Sequence, residues 1–414
     1  MRLPTALAPL RDRPFRLLYA GQVVSLLGDG MAPVALAFAV LQVTGSASDL
    51  GWVLAARSGT MVSLLLIGGV IADRVKSRRL LMVAADVVRF LAQSLTAVLV
   101  LSRTAQLWEL LALQIVYGAG MALFYPAITG LLPATVRPSV LQQANALRSM
   151  ASSTGQVMGP AIAGVIVASA SPGWALAADG LSFAVDAWFL ARLPAITAIR
   201  TAGGFGRQLL EGWRAFTSRT WVWTIVASAS LGNLLFAAVT VLGPVVAERR
   251  LGGPAGWGLA MAFVGVGSVA GGLLALRLRP AHPLRLAVPT VSLFCLPSLG
   301  LAAGWPLWPV AAACLLAGGG NAVFNVLWET ALQRNVPGDL LSRVSSYDWF
   351  GSLAFQPVGQ AVAGSVSGAI GIPLTLLASG VGIAVTTLPV LALPSVRNLG
   401  AAAPASASAP PAGP

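Results

Sequence analysis

The chain has 414 residues, of which 57% are hydrophobic and only 9% charged, and it carries a net charge of +13. A soluble domain places charge on roughly a quarter of its positions, so this composition excludes a water-facing globule and requires lipid as the solvent. The basic surplus does not indicate a nucleic-acid platform either, because the 26 basic residues are spread over separate segments rather than gathered on one stretch.

Apolar runs long enough to cross a bilayer, about 20 residues each, recur twelve times. They predict helical crossings over 16–41, 48–71, 79–102, 107–131, 144–169, 174–193, 221–246, 256–277, 284–303, 307–329, 344–368 and 373–393. The run after Arg16 is about 25 residues long, too long for the core of a cleaved signal, and is expected to be the first crossing. With the N-terminus in the cytoplasm, Arg103, Arg249 and Arg250 fall outside, Arg57 and Arg89 fall within crossings, and the other basic residues lie on the cytoplasmic side. That is the positive-inside distribution, and it predicts a multi-pass protein of the bacterial inner membrane with both termini cytoplasmic. Cys295 and Cys314 sit inside crossings 9 and 10, where a thiol behaves as a small apolar group, and the single His282 has no second ligand type nearby. No metal site and no cofactor are implied.

The longest connection follows crossing 6. Leu209, Leu210, Trp213 and Phe216 recur there at helical spacing beside Arg200, Arg207, Glu211, Arg214 and Arg219, which predicts an amphipathic helix on the inner membrane surface. The expected organisation is a six-helix half over 1–193, a linker over 194–220, a second six-helix half over 221–395 and a low-complexity, disordered tail over 396–414.

An internal repeat supports the two halves. Shifted by 200 positions, Gly118, Gly120, Ala122, Phe124, Leu132, Val136 and Leu141 recur as Gly318, Gly320, Ala322, Phe324, Leu332, Val336 and Leu341. In the same register Ser152, Gln156, Gly159, Ala161, Ala163 and Gly164 recur as Ser352, Gln356, Gly359, Ala361, Ala363 and Gly364. Six crossings separate the copies, so the halves run the same way through the membrane, as expected of two bundles that rock about a midplane site.

Between crossings 2 and 3 the chain reads Gly69-Val-Ile-Ala-Asp73-Arg74-Val-Lys76-Ser-Arg78-Arg79. This resembles the signature loop of the major facilitator superfamily, in which the glycine permits close helix contact and the acid and arginines make ionic contacts that hold one access state. The second half departs from it, with Gly272 followed by Leu276 and Arg277. Crossing 5 carries Gly155, Gly159, Pro160 and Gly164, which looks like the superfamily's antiporter motif. There the small face is expected to meet crossing 8, which offers Gly265, Ser268, Gly271 and Gly272. Phe15-Arg16 to Gly21-Gln22, Ser25 to Gly28-Asp29, Thr44-Gly45-Ser46-Ala47, Asp86 to Arg89, and Val336-Pro337 to Arg343 narrow the resemblance to the branch of macrolide-efflux proteins and enterobactin exporters. It covers about residues 10 to 395. It implies an all-α integral membrane protein with twelve crossings in two parallel repeats.

Ionisable groups at membrane depth cost about 2.5–3.5 kcal/mol each on insertion scales and are functional candidates. Asp29 lies mid-crossing, with Gln22 and Ser25 on the same stripe, and Arg57 lies within about 6 Å of its depth at 1.5 Å per residue. Two readings stay open: Asp29 as a proton carrier, or as a structural ion-pair partner of Arg57. Asp186 ranks next, since the resemblance places crossing 6 at the bundle's flank. Asp179 is expected near the outer surface, and Asp86 with Arg89 as one pair on a helix face. Asp348 occupies the repeat position of Arg148, and the resemblance puts it opposite Arg74 or Arg78 as a gate. The cavity is expected from crossings 1, 4, 7 and 10, with Gln114, Tyr117, Met121, Tyr125, Asn321, Asn325 and Glu329 as lining.

Together these features predict secondary active export of small lipophilic or amphipathic molecules by proton antiport, working as a monomer. Its partners are the substrate, protons and the bilayer. Import of a nutrient on the same fold is the alternative. No phosphate loop, metal cluster or nucleophile constellation supports an enzyme.

Overall fold

The computed structural model describes residues 5–75, 77–194 and 205–400, and within these the side chains of 5, 6, 66, 69, 70, 72–74, 205–209, 338, 339 and 342 are not described. It is built of helices, with no strand among the described residues. Crossings 1–6 are α1 (Arg13–Thr44), α2 (Ala47–Arg74), α3 (Arg78–Leu101), α4 (Leu107–Leu131), α5 (Leu141–Ser169) and α6 (Pro172–Ala191). A short helix, α7 (Phe205–Thr217), precedes α8 (Thr220–Arg250), α9 (Gly253–Ala275), α10 (Pro283–Ser292), α11 (Cys295–Ala302), α12 (Leu307–Asn335), α13 (Gly338–Leu353), α14 (Gln356–Ile370) and α15 (Ile372–Thr387). Hydrocarbon offers the backbone no partner, so each crossing must satisfy its own hydrogen bonds. The turns are locally encoded. Gly45 ends α1 in the left-handed region at φ 66°, donating its N–H to the Leu41 carbonyl, and the Ser46 hydroxyl caps α2 by accepting from the Asp49 N–H at 3.2 Å.

Two crossings expected to be continuous are broken. Crossing 9 is α10 plus α11, and crossing 11 is α13 plus α14. Pro297 and Pro357 stand just beyond the breaks. Proline lacks the N–H that would bond four residues back, so the Leu293 and Leu353 carbonyls lose their helical donors and the chain tightens, with Leu296 N–H turning to Leu293 O and Ala354 N–H to Gly351 O. The expected tail also starts later than 396. Residues Pro394–Arg397 form a helical turn, and Arg285 Nε donates to the Arg397 carbonyl at 2.7 Å; residues 401–414 lie outside the described residues.

Within the first six crossings α1 packs on α5 and α6, α3 on α4 and α6, and α2 on α4. In the second set α12 packs on α9 and α10, α8 on α14 and α15, and α11 on α15. The two sets join through α5 with α9 and α2 with α14, contacts that exchange with each other under a two-fold relation of the repeats. Glycines 200 positions apart make equivalent contacts. Gly118 lies on the Arg57 carbonyl of crossing 2 and Gly318 on the Val264 carbonyl of crossing 8. Gly159 meets crossing 1 at Gly30, and Gly359 meets crossing 7 at Leu234.

The apolar cores are distributed unevenly along the membrane normal. At the end bearing the α1–α2 and α8–α9 turns, one core joins both sets, running from Val34, Leu36 and Leu50 through Ala163 to Val241, Leu242 and Trp257. At the end bearing the N-terminus the cores are separate. One contains Phe15, Met82, Phe124 and Leu147, the other Trp221, Val288, Trp328 and Val344. The two sets are therefore sealed together by one apolar core at the turn end, and their cores are parted at the terminus-bearing end.

Candidate functional site

Two polar regions stand out. The first is a buried network inside the first six crossings, centred on Arg89 of α3, which is 1% exposed. Its Nη2 bonds Asp86 Oδ1 one turn earlier on the same helix, and its Nη1 lies 3.7 Å from Asp29 Oδ2 on α1. Its guanidinium is also flanked by the rings of Phe124 and Phe183, each 4.2 Å away, a placement that recovers part of the cost of desolvating the charge. Tyr117 on α4 donates its hydroxyl to Asp29 Oδ1 at 3.0 Å, and the Arg57 guanidinium lies 4.1 Å over the Tyr117 ring.

This changes the expected pairing. Arg57 reaches Asp29 only through the intervening tyrosine, and the ion partner of Asp29 is Arg89. The two arginines lie at similar depths, but Tyr117 packs between Arg57 and the carboxylate. Asp86 and Arg89 do form a helix-face pair, which Arg89 extends across to α1.

Two further acids are more buried than expected. Asp179, placed near the outer surface by sequence, has no solvent exposure and accepts from Gln93 Nε2 at 2.6 Å. Asp186, placed at the flank, is likewise fully buried and accepts from Gln22 Nε2 at 2.6 Å. They are seven residues apart on α6, against Gly28 and Gly21 of α1 respectively. Gln22 and Ser25 are thus buried toward α6 and do not line a cavity, because the glycine face of α1 turns inward. Of the four acids in this network only Asp29 retains access, its side chain 22% exposed against none for Asp86. Of the other expected lining on α4, Gln114 and Tyr117 are fully buried, Met121 is half-buried and Tyr125 is exposed. Neither Gln114 amide atom finds a partner among the described residues.

The second region is a cavity of about 590 Å³ enclosed by crossings 7 and 9–12 at the terminus-bearing end. Asn321, Asn325 and Glu329 of α12 line it, but crossings 1 and 4, expected to share the cavity, contribute no described residue to it. Asp348 lines it too, accepting from Trp328 Nε1 at 2.9 Å and from the Ser352 hydroxyl at 3.4 Å. Sequence reasoning missed Trp328 and Asn233. Asn233 Nδ2 donates to the Ser352 carbonyl at 2.9 Å, beside the break in crossing 11, and the polar Asn on an otherwise apolar crossing was the available signal.

The residues expected at the gate divide. The side chains of Gly69, Asp73 and Arg74 lie outside the described residues. Arg78 Nη1 donates to the Gly130 carbonyl at 3.2 Å, while Arg79 donates to the Leu193 carbonyl. These cations therefore meet the C-terminal ends of α4 and α6, where free carbonyls and the helix dipole favour positive charge. The antiporter motif divides as well. Gly155 and Gly159 receive α1 at Leu26 and Gly30, inside their own half, whereas Pro160 and Gly164 receive α9 at Gly258 and Pro254. A side-chain carbon at Gly164 would come 2.8 Å from the Pro254 carbonyl oxygen. On α9 only Gly265 of the expected small face meets α5, at Gln156. Ser268 and Gly271 turn to α12, and Gly272 faces open space. Seven helical positions rotate through both neighbours, so one stripe serves two interfaces.

The chain matches the family described as transmembrane secretion effector over residues 4–411. It is 28% identical over 382 residues to the enterobactin exporter EntS of Shigella boydii serotype 18, covering 90% of this chain and 89% of the relative. It is 27% identical over 384 residues, with the same coverage, to EntS of Escherichia coli O6:K15:H31. Among solved structures it resembles an inward-facing, unoccupied bacterial homologue of the human lysosomal transporter Spinster, at 16% identity and a TM-score of 0.69, covering 97% of this chain and 99% of that one. The nucleoside transporter NupG matches at 12% identity and a TM-score of 0.73, covering 92% and 98%. These similarities show a transporter fold of twelve crossings in two parallel repeats, and a transporter rather than an enzyme. The chain belongs to the transmembrane secretion effector family of the major facilitator superfamily.

Proposed function

We propose that the protein exports small lipophilic or amphipathic molecules, such as a drug, antibiotic or secondary metabolite, across the bacterial inner membrane in exchange for protons. The observation that carries the reading is Asp29, the accessible carboxylate of an otherwise sealed network, held by Tyr117 and Arg89 from two neighbouring helices. Rocking that separates these contacts leaves an uncompensated charge at membrane depth, which proton uptake removes. Arg57 steers Tyr117, and Asp186 is a second acid of the same network. The direction rests on the relatives named as exporters and on the antiporter-like glycine and proline face against α9.

The moving units are residues 1–193 and 221–395, joined through 194–220, and one chain suffices as a monomer. The distribution of basic residues puts both termini in the cytoplasm, so the parted end is the cytoplasmic one and the cavity loads from inside. The signature loop, with Gly69, Asp73 and Arg74, closes that end by bringing Arg74 to Asp348. The test uses everted vesicles carrying a proton gradient. Wild type should accumulate substrate and release protons on its addition, and Asp29→Asn should bind substrate without proton movement; coupling unchanged in Asp29→Asn would refute the assignment.

A further inference from the structure

The charge balance of the cavity in crossings 7 and 9–12 carries a conclusion about the ligand. Among the described residues its lining holds two carboxylates, Glu329 and Asp348, and no lysine, arginine or histidine. Asp348 is already served by two donors, Trp328 Nε1 and the Ser352 hydroxyl. Glu329 has neither a hydrogen bond nor an ion pair among the described residues, although it stands one position from Trp328 on α12. Around the carboxylates the wall is aromatic. Trp328 stacks on Phe324 with the planes 9° apart, and Phe236 meets Phe294 edge to face at 4.6 Å between centroids. All four rings line the cavity.

From this we infer that the cavity is a binding site for a lipophilic organic cation, with Glu329 as its counter-charge and the aromatic wall as its seat. Glu329 is exposed within the cavity, so its charge is open to a cation, and the apolar wall strengthens that attraction by lowering the local dielectric. Aromatic faces attract a cation by their quadrupole and bury its apolar body. An organic anion meets the opposite conditions, with two like charges and no basic group among the described lining residues to offset them. Asp348, oriented by the Trp328 indole, acts at longer range as a positioning charge. The volume of about 590 Å³ suits an organic molecule rather than a metal ion or a peptide.

The inference rests on the export reading for its physiological meaning, but binding itself needs no gradient. The full chain in lipid nanodiscs, with empty discs subtracted, is titrated with tetraphenylphosphonium and with tetraphenylborate, ions of nearly the same shape and opposite charge. Saturable binding of the phosphonium and none of the borate is expected. Glu329→Gln should weaken phosphonium binding by about 10- to 100-fold, the effect of one charge-assisted contact. Asp348→Asn should weaken it less, and Glu329→Asp should retain most of it, which separates loss of charge from loss of fold. Equal binding of the borate, or wild-type affinity in the Glu329→Gln/Asp348→Asn double variant, would overturn the inference. In everted vesicles, proton-driven accumulation of neutral or anionic compounds without phosphonium binding overturns the cation site and leaves export standing. Phosphonium binding without proton-driven accumulation of any compound does the reverse.

Discussion

Arg89 on α3 and Asp29 on α1 meet inside the first six crossings, Nη1 3.7 Å from Oδ2, and the same guanidinium holds Asp86. Removing one partner of a buried pair costs about 3–5 kcal/mol because the other charge is left unmet. Arg89→Ala strands Asp86 with no solvent access and should lower the thermal unfolding midpoint in detergent markedly. Arg57→Ala removes a cation above a ring, worth about 0.5–2 kcal/mol, and should shift it little. Equal losses in the two variants would contradict the pairing described.

Tyr117→Phe keeps the ring that Arg57 covers and deletes the hydroxyl that Asp29 accepts from. A hydrogen bond to a charged group is worth about 1.5–3 kcal/mol. Substrate-induced proton release should therefore fall by at least about tenfold with substrate binding near normal. Stopped-flow measurement with a pH dye in proteoliposomes checks this.

Asp179 and Asp186 each accept one amide N–H, and neither forms an ion pair among the described residues. An asparagine carbonyl can accept the same bond, so Asp186→Asn should leave stability within about 1 kcal/mol. Asp186→Ala orphans Gln22 and costs about 1–3 kcal/mol. Denaturation of the purified variants separates the two, and a proton-coupling loss in Asp186→Asn as large as in Asp29→Asn would move the carrier role to α6.

Gly164 is the glycine of the antiporter motif that touches the other repeat, while Gly159 touches α1. Overpacking a tight contact costs about 1–3 kcal/mol. Gly164→Val should spare the fold and open the sealed end, raising the labelling of cysteines introduced beside Pro254. Gly159→Val should instead depress expression and stability.

Reversing the charge at Arg74 or at Asp348 alone should abolish export, and the double reversal should restore it if the two meet in the closed-cytoplasm state. Resistance of a pump-deficient bacterium reads this out. Failure of the double variant to recover would remove the gate.

Much of this protein is written locally. Apolar run length and basic flanks determine how many times the chain crosses the bilayer, because lipid admits only helices satisfied from within. The 200-residue register specifies that the halves are copies, and the shared contacts of Gly159 and Gly359 follow from it. The breaks of crossings 9 and 11 were not legible in this way, because Pro297 and Pro357 stand at them while Pro33, Pro126, Pro160 and Pro244 lie inside unbroken helices.

Side-chain partnership was decided elsewhere. Counting residues from a turn gives the depth of Arg57 and Asp29 in the membrane but not the azimuth of either helix or what stands between them. Only the packing of α4 placed Tyr117 in that gap and let Arg89 reach Asp29 from α3. For the same reason, Gln22 and Ser25, read with Asp29 as one polar stripe, proved to be buried toward α6 while Asp29 turns to α3 and α4, since a helix carries its polar residues round every neighbour and only assembly chooses which neighbour they face. The sequence by itself thus determined the crossings and their repeat, which follow from run length and register along the chain. The tertiary structure decided which carboxylate is accessible, which arginine serves it and which cavity is left acidic, because those depend on groups dozens to hundreds of residues apart.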